Sequence, residues 1–376
     1  MRLAINASRA KSGGGILHLI EILSNSEPLD YGFSEVHVWA HEKLLSALPN
    51  KPWLIGHLPK SAKASILKQL WWEFFDLPRE LGSRGCEILL NVDAGTVCPF
   101  RPAVTMSRDM LAFEPGEASR LGFGRARFRQ FFLKYIQCRS LSKSDGTIFL
   151  TNYAAKVIGP QCRHIKSVKI IPHGVSTVFE KNPNRWKFHG EHDNPLQILY
   201  VSPVWVFKHQ WHVVRAVEIL RAKGLNVFLK LVGGGDKLGL EILNHQISQS
   251  DPNSFFVDYV GEVPHKDLPL YLSEADIFVF ASSCENMPNS LIEAMKSALP
   301  IACSDRGPMR EILQDGGVYF DPEDPESIAK AIENLIVDVG IRERASRRAF
   351  ELSKPYSWVR CAHDTFEYIS QVFSRA

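Results

Sequence analysis

Residues 278–295, FVFASSCENMPNSLIEAM, set the reading of the whole chain. The apolar run Ile277, Phe278, Val279, Phe280 predicts a strand buried on both faces; Pro288 and Asn289 break it, and LIEAMKSA then turns at helical period. Glu285 therefore falls in the loop at a strand's carboxyl end, and Glu293 in the first turns of the next helix. Open parallel sheets bind ligands at that edge, and the free N–H groups of a helix start favour anions. A phosphate between the two carboxylates would be well placed. The same residues have a plainer use: Ser290 and Glu293 have the spacing of a capping box, and Pro288 suits the approach to a helix. The stretch by itself leaves both readings open.

At 376 residues the chain is long enough for two domains, each with its own core. With 45% hydrophobic and 23% charged residues it is neither disordered nor fibrous in composition. No apolar run nears the ~20 residues that span a bilayer, and MRLAINASRA is too short and polar for a signal peptide, so the expected location is the cytoplasm. The cysteines, Cys86, Cys98, Cys138, Cys162, Cys284, Cys303 and Cys361, are scattered and never in CxxC spacing, which argues against a disulfide framework or a zinc site. Cys284 stands beside Glu285 where a nucleophile could, but no histidine is close in sequence to activate it. Charge is uneven: residues 1–185 carry 25 Lys+Arg against 15 Asp+Glu, and the remainder 19 against 26. A basic front half suits an anionic partner such as a membrane surface, a diphosphate-linked acceptor or nucleic acid.

In the front half, RLAIN is a short strand, and KSGGGILHLIEIL a glycine-rich turn opening an amphipathic helix. Gly13, Gly14 and Gly15 allow backbone to approach a ligand closely, or make a tight turn and nothing more. The spacing is not GxGxxG, so no nicotinamide site is read. EVHVWA, EILL, PAVTMS and GTIFL add strands with helices between them, a βα alternation and hence a parallel sheet. Arg108 and Asp109 follow one strand end, facing the ligand edge or forming an ordinary ion pair or cap. Two segments stand out. SAKASILKQLWWEFFDLP puts Lys63 and Lys68 beside Trp71, Trp72, Phe74 and Phe75; RLGFGRARFRQFFLKYIQCRS mixes Arg125, Arg127, Arg129 and Lys134 with Phe123, Phe128, Phe131 and Phe132. Helices lying on anionic lipid have this composition, and so do core helices whose long cationic side chains snorkel. Nucleic acid is set aside because no recognition module accompanies the pattern.

IIPHGVSTVF then ends a strand, and KNPNRWKFHGEHDNP has linker composition, which puts a domain boundary near 175–195. LQILYVS, NVFLKLVG, SFFVDYV, ADIFVFA and LPIACS begin a second βα series. The expected fold is α/β, two Rossmann-like domains facing a cleft. Lys208, opening a helix after the first of these strands, could hold a diphosphate at the edge that carries Glu285 and Glu293, or be a solvated lysine. Gly233 to Gly235 would let a ligand ride close to the backbone.

Taken in order, the GGG turn, IPHGV, the strand before Lys208, LVGGGD, VGEVPHKDLPLYLSEADIFVFAS, ENMPNSLIEAMKSALPIACSDRGPMREIL and DGGVYFDP resemble the retaining glycosyltransferases of family 4, of GT-B architecture, of the kind found in bacterial surface polysaccharide (O-antigen) assembly. The likeness covers nearly the whole chain and is strongest from 196 to 322. It implies an acceptor-binding domain at 1–180, a nucleotide-sugar domain at 190–355, and a last helix at 356–376 crossing back onto the first domain. By position, Glu285 matches the glutamate on the donor sugar, Glu293 the one on the nucleotide ribose, and Lys208 the lysine on the phosphates. Backbone at Asn289, Ser290 and Leu291 would bind the β-phosphate, and Gly14 with Gly15 would close on the donor from the other domain. Ser202, Gly233, Gly234 and Val263 complete the implied donor set, while Arg108 and Asp109 join Glu285 and Lys208 as the implied catalytic set. Two positions depart from the family. Ser202 and Pro203 stand where many members have an arginine, and Arg108 where many have a histidine, so the phosphate grip is expected to rest on Lys208 with Arg108 or Arg9. No cofactor, metal or protein nucleophile is expected, there being no DxD-like cluster. The expected partners are a nucleoside diphosphate sugar, a glycan or lipid-linked oligosaccharide acceptor and the inner face of an anionic membrane. Two alternatives stay open: a nucleotide-sugar epimerase of the same architecture, and a non-catalytic nucleotide-sugar-binding relative.

Overall fold

The computed structural model describes residues 1–10, 14–122, 124–181 and 194–376; Gly13, Phe123 and most of the polar linker lie outside them. The chain forms two compact units: Met1–Ala118, Gly122–Gly174 and Tyr356–Ala376 make the first, and Val175–Pro355 with Ser119–Leu121 the second.

Among the described residues the first unit has seven parallel strands, β1 (Arg2–Ala7), β2 (Glu35–Ala40), β3 (Leu54–His57), β4 (Ile88–Asn91), β5 (Ala103–Ser107), β6 (Gly146–Phe149) and β7 (Val168–Ile170), in the order β3-β2-β1-β4-β5-β6-β7. The second has six, β8 (Leu196–Val201), β9 (Val227–Val232), β10 (Val257–Gly261), β11 (Ile277–Phe280), β12 (Ile301–Ser304) and β13 (Val318–Phe320), in the order β10-β9-β8-β11-β12-β13. Their central strands are covered on both faces: Leu3, Ala4, Ile5 and all of β11 are at most 1% exposed, as continuous apolar runs require. In each sheet the chain builds outward from its first strand and then returns to that strand's other side, so β4 lies beside β1 and β11 beside β8. That reversal opens a crevice at the strands' carboxyl ends. It also brings together two loops distant in sequence.

Two strands escaped the sequence pattern. β3 is an edge strand with no buried residue, and β13 has three residues between glycines and a proline-containing turn. The last helix, Trp358–Ser374, buries Cys361, Ala362, Phe366 and Ile369 in the first unit. There Gly174 lies so close to it that a Cβ would stand 2.2 Å from the Trp358 nitrogen. His18 and His173 meet edge to face at 4.6 Å beside the Trp358 ring, and Cys361 Sγ is 3.4 Å from His18 Nε2. Burial holds both imidazoles well below their ordinary pKa.

Candidate functional site

The loops after β8 and β11 are stitched together by their own polar groups. The Ser283 N–H donates to the Phe207 carbonyl (2.9 Å), the Ser283 hydroxyl lies 2.9 Å from His209 Nε2, and the Tyr200 hydroxyl donates to the Lys208 carbonyl (2.6 Å). His209, at a left-handed φ of 53°, turns the loop into the helix Gln210–Ala222. With its backbone fixed in this way, Lys208 forms an ion pair with Glu285 through Nζ and Oε1. The ammonium also lies 5.4–5.9 Å from the ring centroids of Trp205, Phe207 and Phe280, within cation–π range. Lys208 is 6% exposed and the Glu285 side chain 12%, so the solvated reading of Lys208 falls. In so dry a place an opposite charge counts for several times what it would in water. Burial, then the Glu285 charge, pushes the Tyr200 hydroxyl and the Cys303 thiol well above their ordinary ranges; Cys284 is buried.

Four residues beyond Glu285 the helix Asn289–Lys296 begins. Its N-cap is Pro288 and no side chain caps it, so the capping box suggested by Ser290 and Glu293 does not form. Ser290 already lies inside the helix, two residues past the N-cap position. The N–H groups of Asn289, Ser290 and Leu291 have no carbonyl one turn behind them, as at any helix start. Glu293 is buried, with Oε1 2.7 Å from Nε2 of His265, on the short turn that follows β10 and the half-buried Val263. Sequence reasoning did not single out His265; 28 positions separate it from Glu293, and no local spacing announces the pair.

The glycine run answers to the protein's own backbone. Gly233 has φ 143°, and a Cβ there would stand 2.2 Å from the Ser202 carbonyl oxygen; at Gly235 it would be 2.8 Å from Val204. Ser202 is buried, its N–H bonded to Val232 and its hydroxyl to Pro203 O. Gly234 would meet the Glu262 side chain at 3.3 Å. These glycines seat the β9 turn against the strand-end turn that leads to Lys208.

In the first unit Arg9, Asp93 and Arg108 follow β1, β4 and β5 at the carboxyl edge. Arg108 is half-buried and donates from Nη1 to the carbonyl of Gly15 (3.2 Å), close beside the start of the helix Gly14–Ser24; loss of hydration brings its pKa down to about 10. Asp109 accepts from the Leu111 N–H (3.0 Å) and Gln137 Nε2 (3.3 Å), and burial raises its pKa. Arg9 is paired at 2.9 Å with Glu73, whose carboxylate also accepts from Asn6 and Thr96. Glu73 lies on a π-helical turn, Trp72–Asp76, a distortion frequent at functional sites.

Of the aromatics in the two basic segments, Trp72 is buried, but Trp71 is 63% exposed, and Phe128, Phe131, Phe132 and Tyr135 are 51–74% exposed. The last four form one stripe along the helix Arg125–Lys143. The core reading of that helix therefore fails on its aromatic face. Among the described residues no helix is long and apolar enough to cross a membrane. One group of side chains there is close enough to share a metal ion, His363, Asp364 and Glu367 on the last helix, and it contains no residue of the expected site.

Comparison with known proteins adds to this geometry. Residues 195–338, which hold the paired loops, match the family described as glycosyl transferases group 1. Over 120 residues the chain is 31% identical to O-antigen chain mannosyltransferase B of Escherichia coli, 32% of each protein. The chain spans about a third to a half of the length of the curated relatives it matches. Its fold resembles sucrose-phosphate synthase from Thermosynechococcus elongatus (TM-score 0.76, 15% identity, 100% of both chains) and HepE of Anabaena in complex with UDP (TM-score 0.71, 16% identity, 100% of both chains). The expected pair of Rossmann-like domains of the GT-B kind is borne out by the two sheets and these likenesses.

Proposed function

We propose, from a second domain that matches glycosyl transferases group 1, that this chain is a retaining glycosyltransferase. It moves mannose or another hexose from a nucleoside diphosphate sugar to a glycan or lipid-linked glycan in cell-surface polysaccharide synthesis. The observation that carries the reading is the buried Lys208–Glu285 pair where the second sheet reverses its strand order. Lys208 and the helix start at Asn289–Leu291 supply charge and N–H donors for a leaving diphosphate. Glu285 pairs with the ammonium. A donor's diphosphate would take it over, and Glu285 would then accept hydrogen bonds from the sugar's hydroxyls, with Glu293 on the ribose. Retention follows if the acceptor oxygen attacks the anomeric carbon on the face the diphosphate leaves, the departing phosphate oxygen taking the acceptor's proton. This scheme asks for no metal, because the phosphate charge has partners in the protein.

The basic aromatic stripe supports the other half of the reading, a peripheral protein on the inner, anionic face of a membrane with a lipid-linked acceptor. Thermal unfolding with a panel of nucleotide sugars tests the core of it, since a ligand bound only by the folded state raises Tm. One nucleoside diphosphate sugar is expected to stabilise the protein, and Lys208→Ala to weaken its Kd by about tenfold to a hundredfold. Unchanged affinity in Lys208→Ala would remove the role of that lysine, and a panel without effect would remove the function.

A further inference from the structure

Glu293 has no capping duty, yet it is buried at 5% exposure in the helix Asn289–Lys296. Its Oε1 is engaged by His265 Nε2 at 2.7 Å, while among the described residues Oε2 has no hydrogen-bond partner. The imidazole, 44% exposed, is packed on one side. Phe179, 2% exposed, meets it edge to face at 5.5 Å, and the Phe179 carbonyl accepts from the Ser297 hydroxyl at 3.0 Å, at the far end of the same helix. One carboxylate oxygen is thus held by a ring that packs against Phe179, and the other is left to accept.

We infer that His265 is the positioning residue for Glu293, fixing its carboxylate so that Oε2 faces the 2′,3′-diol of the donor nucleotide. The inference rests on the reading of Glu293 as the ribose ligand. A glutamate with three free torsions loses rotamer freedom when a ligand orders it, whereas a carboxylate already held loses little. His265 therefore acts on the strength of the diol contact and not on the phosphate grip. Removing the imidazole leaves a buried carboxylate without its donor and free to turn.

The test is calorimetric titration with UDP, GDP and ADP, followed by the 2′,3′-dideoxy counterpart of whichever binds. The wild-type protein is expected to prefer the ribose form by about tenfold or more, the value of hydrogen bonds to a charged group. In His265→Ala that preference should shrink to within about threefold while affinity for the dideoxy form holds. His265→Gln, whose amide N–H reaches about as far as Nε2, should restore it, and Tm of each variant reports folding. An undiminished preference in His265→Ala overturns the inference alone, and an equal loss for both forms marks a merely structural histidine and overturns it too. A wild-type protein that binds both forms alike overturns the ribose role of Glu293 and the inference with it. If none of the three nucleotides binds, the proposed function falls first.

Discussion

Removing either partner of the Lys208–Glu285 pair leaves the other charge in a nearly dry loop, behind Trp205, Phe207 and Phe280. Breaking one half of a buried pair costs about 3 kcal/mol, whereas replacing both halves by apolar groups of similar volume is close to neutral. Lys208→Met and Glu285→Leu are each expected to lower stability by about that amount in urea denaturation, and the double variant by clearly less. Donor binding should be weakened in both variants that lack Lys208, the double variant included, because stability and the phosphate grip depend on different properties of the same ammonium. A double variant as unstable as the sum of the singles would show that the two charges do not depend on each other. Both positions were legible in the sequence, each just past an apolar strand. Their pairing was not, since it depends on β8 and β11 being neighbours across 77 positions. His265 was hidden for the same reason.

At the level of elements, the last helix is held to the first domain beside two histidines that burial keeps neutral. A depressed folded pKa means that the unfolded chain takes up protons first, so the stabilisation is complete above the ordinary histidine value of 6.5 and is lost as pH falls below it. With two such groups the slope reaches about 2.7 kcal/mol per pH unit. Thermal unfolding followed by tryptophan fluorescence should show Tm dropping between pH 6.5 and 5, and His18→Asn with His173→Asn should flatten that limb. An identical acid limb in the double variant would remove the histidines from the account. Strands were the most legible elements, because one covered on both faces must be apolar throughout, as Ile277–Phe280 is. Edge strand β3 escaped because nothing covers it well enough to demand that pattern, and the capping box misled because its spacing was right but begins two residues past the N-cap.

For the whole molecule, the excess of positive charge in residues 1–185 and the aromatic stripe at Phe128, Phe131, Phe132 and Tyr135 belong to the same domain. Vesicles containing anionic lipid should float with the protein at low salt and release it near 0.5 M, a concentration well past the screening of surface charge at about 0.15 M. Phe128→Ser with Phe131→Ser should weaken that association while leaving Tm unchanged, since both side chains are already in water. Flotation of neither protein, even on strongly anionic vesicles, would remove the membrane from the proposal. The chain leaves the first domain at Gly174 and returns to it at Tyr356, with Gly174 pressed against Trp358. On the ribosome, then, the first domain cannot be completed before the second has been made: its core waits open for a helix encoded after it, and the domain encoded in between is free to close sooner.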